Sequence, residues 1–300
     1  MIVHMSTPEA RPFLRGSQLN WLARYVLLRE HLAGSEQSLL EVGSGHVGVS
    51  CIVPHTFVGV DVAFESVPVR SMLPFAYDGT RLPFRDGSFH TVISMDTLEH
   101  LPASRREAFL AELLRVAATR VIMGSPTSTG TAVAHADDPV VRLVQKLGMP
   151  EPQWMHEHDE FGLPRPSDVE AALDVVAGQA WRWRSIPTTN DLINLLAILT
   201  DLTPGTLATT SVFLEGYPAE VEAWFRASTF GPCNRKVYLL EAHDARAPLV
   251  DLTSVDSLLG ALVCPRCTGS LAIHGLSMNC VLCGTAYHTD ARQVTRLTLP

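Results

Sequence analysis

The segment LLEVGSGHVG, residues 39–48, decides the fold of this 300-residue chain. The apolar run Leu39–Val42 leads directly into the closely spaced glycines Gly43, Gly45 and Gly48. Glycines are needed where a chain turns sharply and where a ligand approaches the backbone, because a Cβ atom would block that approach. A helix that follows such a turn presents unpaired N–H groups to an anionic group. The segment therefore predicts a strand, a ligand-binding turn and a helix.

The surrounding segments alternate between strand and helix patterns. Apolar or β-branched runs at 57–62, 90–95 and 121–123 predict further strands, and a helix is expected at 17–32. Ser104 to Glu107 has the form of a capping box, which predicts a helix that begins there. Because strands separated by crossover-length segments pair in parallel, we expect an α/β fold with a Rossmann-like, doubly wound, mostly parallel sheet.

The rest of the chain predicts a helical cap and a small C-terminal module. Residues 127–215 are rich in Thr, Pro, Asp and His, and we expect them to form a cap insertion over the site. The expected domains are residues 1–250, which include this cap, and residues 255–300. The individual elements expected in these regions are helices near 168–176 and 192–199 and strands at 181–186 and 236–242.

Composition excludes several classes of protein. Hydrophobic residues make up 46% and charged residues 18%, which rules out global disorder. The formal charge of −8 disfavours an extended nucleic-acid footprint, which normally needs a basic surplus. Since the sequence contains no membrane-spanning apolar run and residues 1–16 lack the apolar core of a secretory signal, we expect a soluble, cytoplasmic protein with no membrane partner.

An acidic residue follows the glycine turn at the distance expected of a nucleotide site. Asp61, followed by Val62, stands at the end of the next predicted strand, where it could accept hydrogen bonds from ribose hydroxyls. Together with the glycines, Asp61 fits either a nicotinamide dinucleotide or a sulfonium nucleoside as the ligand.

The downstream segment favours the sulfonium nucleoside. The sequences DGTRLPFRDGSF (78–89) and DTLEHL (96–101) resemble class I S-adenosylmethionine-dependent methyltransferases of the ubiquinone-biosynthesis-like group, methyltransferase type 11. This resemblance implies the Rossmann-like fold, S-adenosylmethionine as cofactor and transfer of its methyl group to a small-molecule acceptor. It assigns the adenine to Asp78 with Gly79, the methionine end to the loop at Glu41, Gly43, Ser44 and Gly45, the ribose to Asp61 with Val62, and the methyl-transfer zone to Met95 and Asp96.

Two positions depart from the family pattern. Val47 occupies the third position of the usual Gly-x-Gly-x-Gly loop, and Gly48 follows it. His90 replaces the usual aspartate after Ser88-Phe89. The first departure leaves open a nicotinamide-dependent oxidoreductase, although the acid and Leu-Pro-Phe block at 78–84 has no clear task in such an enzyme.

Methyl transfer to an atom of high pKa benefits from a general base, most often a histidine or a carboxylate. His100 is one candidate, since its segment follows a predicted strand toward the site. The segment at Glu157-His158 resembles one found in a subset of these methyltransferases, and our hypothesis is that His158 is the base. Structural roles for these residues remain open, as does a metal pair of His156 and His158 with Asp137 or Glu160 if the segment is a strand.

Four cysteines form two CxxC pairs separated by twelve residues: Cys264 with Cys267 and Cys280 with Cys283. This spacing fits a tetrahedral Zn²⁺ site, and a module of this size needs such a metal to fold. The stretch from Leu258 to Tyr287 resembles Trm112-like zinc ribbons, whose members bind methyltransferases and stabilise or activate them. We therefore expect an in-cis scaffold.

An RNA methyltransferase or an RNA-associated zinc protein is the alternative to this scaffold interpretation. Residues 256–300 contain three Arg, no Lys and two Asp, and Tyr287 is the single aromatic residue among them. That composition offers little for gripping or stacking nucleic acid, so nucleic acid is not the partner we expect.

Overall fold

The structure is a computed structural model of the chain. It describes residues 18–36, 38–64, 68–77, 79, 81–128, 142, 145–146, 148, 151, 153–202, 218–231, 233, 235–275, 277–290 and 293–297. Asp78 and large parts of the predicted cap, including Asp137, lie outside the described residues.

A central sheet of seven strands carries the predicted Rossmann-like topology. The strand order is β3-β2-β1-β4-β5-β7-β6; strands β3 to β5 pair in parallel, and β7 is antiparallel to both neighbours. The prediction of a doubly wound, mostly parallel sheet is confirmed. The strands are β1 (Leu39–Val42), β2 (Phe57–Asp61), β3 (Met72–Ala76), β4 (Phe89–Met95), β5 (Ala117–Pro126), β6 (Trp181–Ile186) and β7 (Arg235–Ala242).

Strands β1 and β4 are neighbours at the point where the chain order reverses. Glu41 of β1 pairs with Ile93 of β4 on one side and with Gly59 of β2 on the other. In open α/β sheets, ligands bind in the crevice beyond the carboxyl ends of the strands at this reversal. The topology therefore predicts that the loops after β1, β2 and β4 form the ligand-binding crevice.

Helices cover both faces of the sheet, because neighbouring strand residues point to opposite sides. Val92 of β4 packs with Leu113 and Leu173 on one face, whereas Ile93 packs with Leu22 and Phe225 on the other. Among the described helices, none is both long and apolar enough to cross a membrane. The helices are α1 (Gln18–Tyr25), α2 (Ala103–Val116), α3 (Gln153–Phe161), α4 (Pro166–Ala177), α5 (Asp191–Leu202), α6 (Pro218–Ala227) and α7 (Val255–Ala261).

Three expected elements differ in the structure. The helix predicted at 17–32 is α1 followed directly by a 3-10 helix, Val26–His31. The glycine turn leads into a single 3-10 turn, Gly48–Cys51, rather than a full helix; Val53 precedes a proline, which disfavours helical backbone. The proposed capping box is wrong: α2 begins at Ala103 after Pro102, without a side-chain cap.

Strand β3 was not predicted from the sequence. It contains Pro74, and a proline within an apolar run argues against a strand because it cannot donate a backbone hydrogen bond. The strand tolerates this proline because the neighbour on its outer side, β11 (Thr295–Arg296), pairs with Phe75 and Ala76 and not with Pro74.

Two elements within the predicted cap, residues 127–215, pack against the central sheet. Helix α4 buries Val169 and Leu173 in the core shared with α2, and β6 pairs with β7 along its full length. Both elements therefore belong to the layers of the domain itself, because their apolar faces complete its core.

The C-terminal module extends the same sheet. Its strands β8 (Leu271–His274), β9 (Ser277–Cys280) and β10 (Ala286–Thr289) form an antiparallel set that continues through β11 (Thr295–Arg296) to β3. The N–H of Leu297 donates to the Ala76 carbonyl (2.9 Å), and the N–H of Val263 donates to the Pro83 carbonyl (2.9 Å). The module is therefore bonded to the chain on both sides of residues 77–82.

Candidate active site

The turn after β1 requires glycine at its first position. Gly43 has φ +76°, and a Cβ atom there would lie 1.9 Å from the Oγ1 atom of Thr97. The N–H groups of Gly43 and Ser44 donate to the Val60 carbonyl, at 2.8 and 3.2 Å. Ser44 is fully buried, and its hydroxyl donates to the Gly45 carbonyl (3.0 Å), so its side chain does not face the loop surface.

Glu41 lies beneath this turn. Its carboxylate is fully buried and accepts hydrogen bonds from the Tyr25 hydroxyl and the Val49 N–H, both at 2.6 Å. Burial raises the pKa of Glu41 to about 8. Both oxygens of Glu41 therefore hold the turn and α1 together, and its predicted contact with the cofactor stays a prediction.

Asp61 borders the turn at the end of β2. Its Oδ2 atom accepts the Gly45 N–H (2.7 Å) and its Oδ1 atom accepts the Val62 N–H (2.7 Å). Burial raises the pKa of Asp61 above its usual value. The Val62 side chain is exposed, so this carboxylate stands between the glycine turn and an open strand end.

The predicted adenine position is described only at Gly79. A Cβ atom on Gly79 would lie 2.0 Å from the Tyr77 hydroxyl, so the backbone passes close to that ring. Asp78 lies outside the described residues, and its role stays a prediction.

Met95 and Asp96, predicted to line the transfer zone, differ in their surroundings. Met95 is buried in the core, so its side chain does not line an open surface. Asp96 binds Arg235 through both oxygens, at 2.8 and 2.6 Å, and Arg24 at 3.0 Å. Burial alone would raise the pKa of Asp96, but the two guanidinium groups outweigh it and hold that pKa below its usual value.

The three predicted catalytic residues converge with Glu99, and we call these four residues the acid–histidine cluster. The Nδ1 atom of His100 lies 2.6 Å from Oε2 of Glu157, and its Nε2 atom lies 3.8 Å from Oε1 of Glu99. The rings of His100 and His158 are 5.1 Å apart between centroids. Burial lowers the pKa of His100 and raises that of Glu99 well above its usual range.

Local structure explains this convergence. His100 ends the 3-10 turn Leu98–His100 just after β4, while Glu157 and His158 lie on α3. Arg106 of α2 donates to the Phe161 carbonyl (3.2 Å) and to the Gly162 carbonyl, which fixes the end of α3 beside this turn. The segment at 156–158 is thus a helix, so His156 and His158 do not share a face, and the exposed Glu160 is no partner for such a pair.

Comparison with protein families agrees with this geometry. A family model described as a methyltransferase domain matches residues 40–122. The match includes Asp61 and His100, and it confirms the prediction of a methyltransferase. A search of curated proteins finds no match.

Solved structures with a similar course of the chain include three proteins of low sequence identity. The YcgJ protein of Bacillus subtilis is 16% identical, with 74% of this chain and 97% of that chain covered and a TM-score of 0.39. The magnesium protoporphyrin IX methyltransferase of Synechocystis PCC 6803 with bound S-adenosylhomocysteine is 16% identical, with 59% of this chain and 78% of that chain covered and a TM-score of 0.38. A phosphoethanolamine N-methyltransferase of Haemonchus contortus is 14% identical, with 74% of this chain and 52% of that chain covered and a TM-score of 0.43. With identities and TM-scores this low, these likenesses carry no argument about activity.

Beyond the methyltransferase domain, the four predicted metal ligands form one cluster. The sulfur atoms of Cys264 and Cys283 are 3.7 Å apart, and those of Cys267 and Cys280 are 3.4 Å apart. A tetrahedral zinc ion with Zn–S bonds of about 2.3 Å needs sulfur atoms about 3.8 Å apart. The N–H groups of Leu282 and Cys283 point at the Cys280 sulfur, each at 3.4 Å. The donor set therefore fits zinc.

Sequence reasoning missed Glu99, Arg24 and Arg235 as members of the site. Glu99 stands inside the quoted segment 96–101 but is an ordinary acid by local pattern. Arg235 is 139 residues from Asp96, and no local signal could have connected them.

Proposed function

We propose that the chain transfers a methyl group from S-adenosylmethionine to a small-molecule acceptor. The observation that carries the proposal is the shared location of Asp61, the glycine turn and the acid–histidine cluster at the carboxyl ends of β2, β1 and β4. S-adenosylmethionine supplies an electrophilic methyl group on a positively charged sulfur. The protein residues then have two tasks, which are to hold the reactants in line and to activate the acceptor.

The residues around the turn suit the cofactor. The carboxylate of Asp61 would accept hydrogen bonds from ribose hydroxyls, and the backbone at Gly45 would lie along the methionine end. Glu41 fixes the turn from below through its bond to Val49. By family resemblance, Asp78 would bind the adenine amino group.

The acid–histidine cluster would activate the acceptor. Glu157 contacts Nδ1 of His100, which leaves the lone pair of that ring at Nε2, directed toward Glu99. We assign activation of the acceptor's oxygen, nitrogen or carbon nucleophile to the rings of His100 and His158. The acidic net charge of −8 supports a small molecule rather than nucleic acid as the acceptor.

A thermal-shift comparison tests the cofactor. S-adenosylhomocysteine is expected to raise the melting temperature, because a ligand that binds only the native state stabilises it. NAD and RNA are expected to leave it unchanged. A shift with NAD and none with S-adenosylhomocysteine would replace the proposal with an oxidoreductase, and a salt-sensitive gel shift of tRNA or rRNA would favour an RNA-associated role.

Asp61→Asn tests the ribose contact. Loss of a charged hydrogen-bond acceptor is expected to weaken S-adenosylhomocysteine binding by about 10- to 100-fold. Titration calorimetry measures this change, with Asp244→Asn at an exposed position as the matched control. Equal affinities of the two variants would remove Asp61 from the cofactor site.

We also propose that residues 255–300 are a Trm112-like zinc ribbon that acts as an in-cis scaffold. The sulfur distances within the four-cysteine cluster and the pairing of β11 with β3 support this role. Zinc held by four thiolates has no open coordination position, so its contribution would be structural.

A further inference from the structure

The acid–histidine cluster contains a ligand set that acceptor activation by histidine alone does not explain. Glu99, His100 and His158 each offer one ligand atom, and all three atoms lie within 4.8 Å of one another. Two ligands of a single tetrahedral zinc ion, with bonds of about 2.1 Å, lie about 3.4 Å apart. The 3.8 Å between Nε2 of His100 and Oε1 of Glu99 is close to that separation.

A second observation points to a cation. The Oε2 atom of Glu99 is buried and has no hydrogen-bond partner among the residues that the structure describes, and Glu99 is 1% exposed. Burying an unpaired carboxylate is costly, so such groups are normally paired or bound to metal. The nearby guanidinium groups of Arg235 and Arg24 are already engaged by Asp96.

Glu157 contacts the ring nitrogen of His100 that does not face Glu99. Histidines that bind metals usually donate the other ring N–H to a carboxylate, which orients the ring and raises its basicity. The 2.6 Å contact from Nδ1 of His100 to Glu157 supplies that partner on the side of the ring away from Glu99. On the α3 side, Trp154 packs against His158, with 5.3 Å between ring centroids.

We propose that Glu99, His100 and His158 bind a divalent transition-metal cation, distinct from the four-cysteine zinc site. Two imidazoles and one carboxylate suit zinc or manganese and leave coordination positions open. An acceptor hydroxyl bound at such a position loses its proton to solvent more readily. What the cation does rests on the proposed function, whereas its binding does not. The cation would replace the direct proton transfer hypothesised for His158.

Metal content of the full chain tests this proposal. After dialysis against zinc and removal of free metal, the wild type is expected to retain two zinc ions per chain and Glu99→Gln one. His158→Asn is expected to retain one as well, and this half-exposed position guards against a folding defect in the first variant. The matched control His156→Asn, an exposed residue on the same helix, is expected to retain two.

Manganese provides a second readout that the cysteine site does not share, because thiolates disfavour it. Titration of Mn²⁺ into His156→Asn and Glu157→Gln that each hold one equivalent of zinc, which the four-cysteine site takes, is followed by the electron paramagnetic resonance signal of Mn²⁺. The affinity for Mn²⁺ should be about tenfold weaker in Glu157→Gln. One zinc ion in the wild type, or two in both Glu99→Gln and His158→Asn, would overturn the site. Neither readout depends on S-adenosylhomocysteine binding, so failure here is distinct from failure of the proposed methyl transfer.

Discussion

Cys280→Ser is expected to lose the structural zinc and unfold the C-terminal module. Structural zinc sites contribute about 10–16 kcal/mol of binding energy that is also folding energy. The sulfur of Cys280 accepts two backbone N–H groups and contacts Cys267 at 3.4 Å, so a serine disrupts the site at its centre. Zinc analysis and thermal melting measure the loss, with Cys233→Ser as the control outside the cluster.

The same substitution is expected to weaken binding of S-adenosylhomocysteine. The module is bonded to Ala76 on one side of residues 77–82 and to Pro83 on the other, and the Arg85 N–H donates to the Ala261 carbonyl (2.9 Å). This segment carries the position assigned to adenine by family resemblance. Unchanged affinity in zinc-free Cys280→Ser would show that the module does not support the cofactor site and would remove the scaffold proposal.

Glu41→Gln is expected to flatten the dependence of stability on pH. The pKa of Glu41 rises from 4.5 to about 8 on burial, so between these values the folded protein holds a proton that the unfolded chain has released. Stability therefore falls as pH rises through this window, by about 1.4 kcal/mol per pH unit. Over the whole window the contribution amounts to about 5 kcal/mol.

Urea unfolding at pH 5, 6, 7 and 8 measures this contribution. The wild type should lose stability toward pH 8 more steeply than Glu41→Gln, while the two proteins are similar near pH 5. Glu107→Gln, at an exposed position on α2, should retain the slope of the wild type. Parallel curves for wild type and Glu41→Gln would contradict the burial argument.

The sequence revealed the elements whose signals are local. The runs at 39–42 and 181–186 became strands with those limits, since apolar and β-branched patterns report directly on burial. Strand β3 was not predicted because a proline such as Pro74 normally argues against a strand. The strand that accommodates this proline, β11, lies more than two hundred residues away in the sequence. The four metal ligands could be predicted because the two cysteines of each CxxC pair are only three positions apart in the sequence.

The candidate site was predictable in part for the same reason. His100, Glu157 and His158 were found from short segments, but that Glu157 would face His100 depends on where α3 packs. The internal task of Glu41 was not foreseen, because its partner Tyr25 comes from α1 and nothing near residue 41 indicates that contact. Arg235 reaches Asp96 through the antiparallel pairing of β7 with β5.

The continuation of the central sheet into the C-terminal strands has a consequence for solubility. Without β11, the outer side of β3 would present free backbone donors and acceptors, which recruit strands from other molecules. A chain truncated at residue 250 would therefore tend to self-associate along that side. By pairing with β3, the module thus covers a strand edge at which the protein would otherwise aggregate.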